Sequence, residues 1–149
     1  MEVKATWQGQ REPKKLQPEI LDHLDDTCPA VRIEAASLVA DHTAWLADKK
    51  ELKAAAHARL VADLEHDDWA VALRACRAIE LLGEKAVELK PTMRALYDRT
   101  RHAKGDNHFF IAFSSGAYLD KLNEKTVPWD FTPGAGSFMP PKKKKNSEN

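Results

Sequence analysis

The sequence predicts an all-α chain, built as a short α-solenoid of about three helix pairs with an irregular C-terminal tail. Three observations predict it. The apolar residues are dominated by Ala and Leu, which favour helix, and no stretch of useful length alternates as a strand does. A pattern recurs at a stride of 40 residues, in TCPAVRIEAASLV from Thr27, DDWAVALRACRAI from Asp67 and NHFFIAFSSGAYL from Asn107. Each copy opens on a residue suited to capping a helix: Thr27, Asp67 or Asn107.

Within each copy the apolar residues fall at i, i+4 and i+8, one stripe of a helix. The predicted core stripe is Val31, Ala35 and Val39 in the first copy, Val71, Ala75 and Ile79 in the second, and Ile111, Ser115 and Leu119 in the third. Small residues sit at the waist of each stripe, as Ala35-Ala36, Ala75-Cys76 and Ser115-Gly116, so that a neighbouring helix can approach closely. Every copy is preceded by a second helical pattern. The first is short, Pro18 to Leu24. The next, Glu51 to Leu64, puts Leu52, Ala56, Leu60 and Leu64 in phase, and the third runs from Leu89 to Arg101 with Pro91 in its first turn. Gly83 follows Leu82 as a natural helix stop, and a further helical turn is expected through Trp45-Leu46. A pair of this size cannot bury its apolar face alone, so neighbouring pairs must stack.

The chain divides accordingly into a lead-in (1–13), the helical unit (14–122) and a tail (123–149). The tail begins VPWDFTPGAGSFMPP, too rich in Pro and Gly to continue a helix, with Trp129 and Phe131 expected to cover the end of the stack. It closes on Lys142 to Lys145, expected to be solvated.

Asp26, Val31-Arg32 and Ala35-Ala36, together with His66-Asp67-Asp68-Trp69-Ala70-Val71 and Leu81-Leu82-Gly83, resemble the HEAT-repeat family, an armadillo-like helical architecture. The family's Val-Arg pair is complete only in the first copy, since Ala72 and Ala112 stand where the arginine would recur. The run LVADLEHDDWAVALRACRAIELLGEKA, with ELKPTMRAL and a GDN-initiated last helix, is similar to the HEAT-like C-terminal extension of some bacterial formylglycine-type, arylsulfatase A-like sulfatases. That resemblance implies a protein-protein or interdomain packing role beside an α/β catalytic domain, and export to the periplasm or cell exterior. Without that setting the expectation is a cytoplasmic chain, because the N-terminus has no apolar leader.

Catalytic chemistry is not expected of the chain itself. Cys28-Pro29-Ala30-Val31-Arg32 matches the C-x-(P/S/A)-x-R pattern that formylglycine sulfatases modify, but the helical repeat explains the same residues as the opening of a helix. Two cysteines, Cys28 and Cys76, make neither a disulfide framework nor a four-ligand zinc site. His102, Asp106 and His108 are the nearest thing to a metal set, and they match no known ligand spacing; no cofactor is expected. The formal net charge of zero gives no general pull toward nucleic acid, and no apolar run is long enough to span a membrane. The expected partner is a protein surface, which the resemblance implies is a sulfatase catalytic domain, met by Trp69 and Tyr97 as aromatic anchors and by the basic residues Arg94, Arg99 and Arg101. Two alternatives stand beside this reading: part of an active sulfatase, or a small HEAT-like nucleic-acid binder using the basic face.

Overall fold

The computed structural model describes residues 19–42, 49–103 and 106–126, and every regular element among them is helical. Residues 19–22 are helical and lead into a 3-10 turn, His23–Asp25. There follow α1 (Pro29–Asp41), α2 (Lys49–Leu64), α3 (Trp69–Leu82), a 3-10 stretch (Gly83–Leu89), α4 (Lys90–Thr100) and α5 (Asp106–Lys121). The expected turn through Trp45-Leu46, the lead-in, and the tail with Trp129, Phe131 and Lys142 to Lys145 lie outside the described residues.

Two helix starts differ from the predicted caps by one residue. Pro29 has its φ fixed for the first helical position, so Cys28, not Thr27, is the boundary residue of α1. The Cys28 side chain makes no cap; Asp26 Oδ1 accepts the Cys28 N–H at 2.8 Å instead. At α3 the cap is Asp68 rather than Asp67, because Asp68 is the residue held extended, and its Oδ1 accepts the Ala70 N–H at 2.9 Å. Asn107 lies inside α5, which begins at Asp106. Gly83 ends α3 as expected, at φ +54°, a conformation that a side chain disfavours. Pro91 sits in the first turn of α4, where its missing N–H costs nothing.

Helix α1 packs on α2 and α3, α3 packs in turn on α2 and α5, and α4 packs on α5. One apolar core runs through all of them, from Ile33 and Val39 through Leu60 and Ile79 to Met93 and Leu119. The narrow waists are in it: Ala36, Ala75, Cys76 and Ser115 are each fully buried. Seven of the nine predicted stripe residues are buried: Ala35, Val39, Ala75, Ile79, Ile111, Ser115 and Leu119. Val71 is only half-buried, and Val31 is 40% exposed, which corrects its placement in the core.

The reason lies in which way that stripe position points. Ile111 in α5 lies against the preceding pair, where the Cys76 thiol stands 3.7 Å from its carbonyl oxygen. Val71 lies partly buried against the apolar core. Val31 has only the short 19–25 segment before it among the described residues, so the same position meets solvent.

Polar contacts tie successive pairs together. Arg32 of α1 grips Asp63 of α2 through Nε and a second nitrogen, at 3.0 and 2.5 Å, and also donates to the Asp26 carbonyl at 2.8 Å. Asp63 is 3% exposed, so this is a buried acid held by one arginine, which is itself pushed to a higher pKa chiefly by that bond. On the other side, Glu80 of α3 is 4% exposed and accepts from Ser114 Oγ of α5 at 2.7 Å and from Lys121 Nζ at 3.3 Å, with Arg77 also paired to it. Burial pushes that carboxyl up, but Arg77, Ser114 and Lys121 together hold it below the ordinary range. Tyr118, fully buried, donates its hydroxyl to the Ala86 carbonyl at 2.6 Å, and burial raises its pKa to about 12.

Candidate functional site

Trp69 stands at the start of α3 and is 42% exposed, placed as a surface aromatic should be. Tyr97 is not: it is 1% exposed, so it is a core residue and the expectation of an anchor there is corrected. The signal was in the sequence. Met93, Leu96, Tyr97 and Thr100 fall at i, i+3, i+4 and i+7 and are the buried face of α4.

The predicted basic face is engaged within the chain. Arg94 pairs with Glu124 at 3.1 Å and donates to the Lys125 carbonyl at 3.2 Å. Arg99 forks onto Glu65 of the preceding pair, at 2.9 and 3.3 Å. Arg101 lies over the Tyr97 ring, 5.7 Å from its centroid, and 3.5 Å from Asp98. Each arginine therefore meets an acid, and the three do not form an unopposed cationic patch.

Cys28 is an exposed free thiol, and Arg32 of the same five-residue pattern is spent on Asp63. Cys76 is buried, and burial lifts its thiol to about 12. Among the described residues no three His, Cys, Asp or Glu side chains converge as a metal site; the Asp106 side chain lies outside them. His57 of α2 is 6% exposed, and its Nε2 has no hydrogen-bond partner among the described residues. Burial, then the nearby Lys53, lowers its pKa against a smaller opposing pull from Glu88.

A groove of about 720 Å³ opens between α1 and α3. Its α1 wall contributes Ile33, Glu34, Ser37, Leu38 and Asp41, and its α3 wall contributes Ala70, Leu73, Arg74, Arg77, Ala78, Leu81 and Leu82. A second depression of about 370 Å³ continues it past Leu38 toward Val31, Ile20 and His23, sharing Glu34, Leu38 and Arg74. Leu38 is 45% exposed and Leu81 67%, so large apolar side chains stand open along it. The charges are sorted by wall. The α1 side carries acids and no base, the α3 side bases and no acid.

Asp41 is occupied by Lys85 at 2.5 Å, and Arg77 by Glu80, whereas Glu34 and Arg74 have no hydrogen-bond or ion-pair partner among the described residues. Sequence reasoning missed this surface. Glu34, Arg74 and Leu81 read as ordinary solvated or stripe residues until two helices from different pairs are laid side by side. No family model, curated protein or solved structure matches the chain.

Proposed function

We propose that the chain is a non-catalytic, HEAT-like α-solenoid module that binds or braces another protein surface. Its three helix pairs supply a stiff support, and the specificity lies in the side chains exposed between the pairs. The proposed setting is the C-terminal appendage of a sulfatase, a reading that rests on the sequence resemblance alone; the surface met would then be a sulfatase catalytic domain. In this reading Cys28 is a helix-boundary residue and carries no chemistry.

One observation carries the binding role: the α1–α3 groove leaves Leu38 and Leu81 exposed beside the charges of Glu34 and Arg74, which are unpaired among the described residues. An open apolar strip flanked by charge is what a protein-binding surface needs and what a free-standing surface does not. The test is a photo-crosslinker placed at position 81 in cells. A discrete adduct, its partner identified and its yield lost with Leu38→Asp, supports the module. The isolated chain should release no sulfate from an aryl sulfate; turnover abolished by Cys28→Ser would overturn the reading.

A further inference from the structure

Resting on that reading, we infer that the α1–α3 groove receives an amphipathic helix of the partner, with bases along the flank that faces α1 and acids along the flank that faces α3. The occupant is helical because of what the groove lacks. Both walls are helices, and no strand edge exists among the described residues to pair with an extended backbone. An extended peptide laid over Leu38, Leu73 and Leu81 would press unmatched N–H and C=O groups onto an apolar floor, whereas a helix satisfies its own.

The spacing agrees. Val31 and Leu38 are seven residues apart on α1, and Leu73 and Leu81 eight apart on α3, so each wall offers apolar contact over about two turns. Partner side chains at i, i+3 or i+4, and i+7 cover the same length.

Charge selects among such helices. Glu34 and Arg74 stand on opposite walls where the two depressions meet, and neither is neutralised within the described chain. A helix docked between them desolvates both. One with acids on both flanks leaves Glu34 facing a like charge, and one with bases on both flanks does the same to Arg74. Only mixed flanks answer both walls.

The test is fluorescence anisotropy on the full chain with three labelled helical peptides of about 15 residues sharing one leucine stripe. One carries lysines on one flank and glutamates on the other; the controls carry only lysines or only glutamates. The mixed peptide should bind about tenfold tighter than either control. Arg74→Glu should transfer that preference to the all-lysine peptide, and Leu81→Asp should abolish binding of all three while leaving the thermal melt unchanged.

Equal binding of the three, or binding by none, overturns the inference, as does binding untouched by Leu81→Asp. A sedimenting dimer dissociated by Leu81→Asp would make the occupant a second copy and overturn it too. So would tighter peptide binding in Trp129→Ala, which would assign the groove to the chain's own tail. A partner crosslinked from position 81 together with no peptide preference would sink the helix and spare the module.

Discussion

The middle helix pair, α2 with α3, meets a neighbour on each side, and the two junctions are built differently. Toward α1 the seam is held by ion pairs: Arg32 on the buried Asp63, Arg59 on Asp25, and Lys85 on Asp41. Toward α5 ion pairs recur, Arg99 on Glu65 and Lys121 on Glu80, and buried contacts join them: Ser114 on Glu80, the Tyr118 hydroxyl on the Ala86 carbonyl, and the Cys76 thiol beside the Ile111 carbonyl. The first junction carries the open groove; the second lines neither of the two depressions.

Position along the stack explains the contrast. Leu38 and Tyr118 occupy equivalent places at the 40-residue stride, yet one is 45% exposed and the other fully buried. Tyr118 packs on the preceding stretch through Ala86, whereas Leu38 has only the short 19–25 segment before it among the described residues. Residues at matching places in the 40-residue pattern thus meet unequal surroundings.

The sharpest way to break this comparison is to place the same carboxylate at the same stripe position in each helix. Ile111→Asp, 6% exposed at the start, should cost several kcal/mol, about 3–5, in denaturant melts, because the charge is buried without a partner. Val71→Asp should fall between, and Val31→Asp should stay within about 0.5 kcal/mol. Equal losses at all three would show that the junctions do not differ.

Next in size is Arg32→Ala, expected to cost about 3 kcal/mol, since it strands the acid of Asp63 at 3% exposure. Its loss should be recovered in part by Asp63→Asn in the same chain, a double-mutant cycle with a clear coupling. An additive cycle would mean that the pair does not hold the first junction.

Acid should act through the buried His57. Its pKa is lowered in the fold, so the unfolded chain takes up the proton first, near the ordinary value of 6.5. Stability is therefore full above about pH 6.5 and declines as pH falls through that value, levelling only below the folded pKa. His57→Leu should flatten the fall in melting temperature that begins as pH drops through about 6.5. Glu80, held below the usual carboxylate range, adds a separate loss nearer pH 4.5 that this variant leaves in place. Matching slopes for the two chains would remove His57 from the account.

The smallest effect is expected at the two thiols. Cys28 should react with an alkylating reagent in the native chain, while Cys76, buried and raised to about 12, should wait for unfolding. Cys28→Ser should shift stability by less than about 0.5 kcal/mol. Native labelling of Cys76 at the rate of Cys28 would show that the second junction opens.

Much of the helical layout was legible in the sequence, because periodicity and turn residues are local. Leu52, Ala56, Leu60 and Leu64 announced α2, and Gly83 announced the end of α3. The caps were harder: in Asp67-Asp68 both residues can cap, and only the backbone path chooses. Exposure of Val31 depends on what precedes it in space, which a 40-residue self-comparison treats as equal in every copy. The groove was illegible for a related reason. Glu34 and Arg74 belong to different helices 40 residues apart, and their opposition exists only once α1 lies on α3.

Gly83 carries one more consequence. A methyl group built at its Cα would meet nothing within 4 Å, so the objection to an ordinary alanine there is handedness alone, at φ +54° and ψ −123°. Mirror those angles and they fall in the broad extended region that every L-residue occupies with ease. The backbone preference of a D-alanine, introduced by chemical ligation, therefore matches the bend between α3 and the stretch that follows, and it restricts the denatured chain as well. It should raise the unfolding midpoint by the equivalent of about 0.5–1 kcal/mol, while L-alanine at the same atom lowers it.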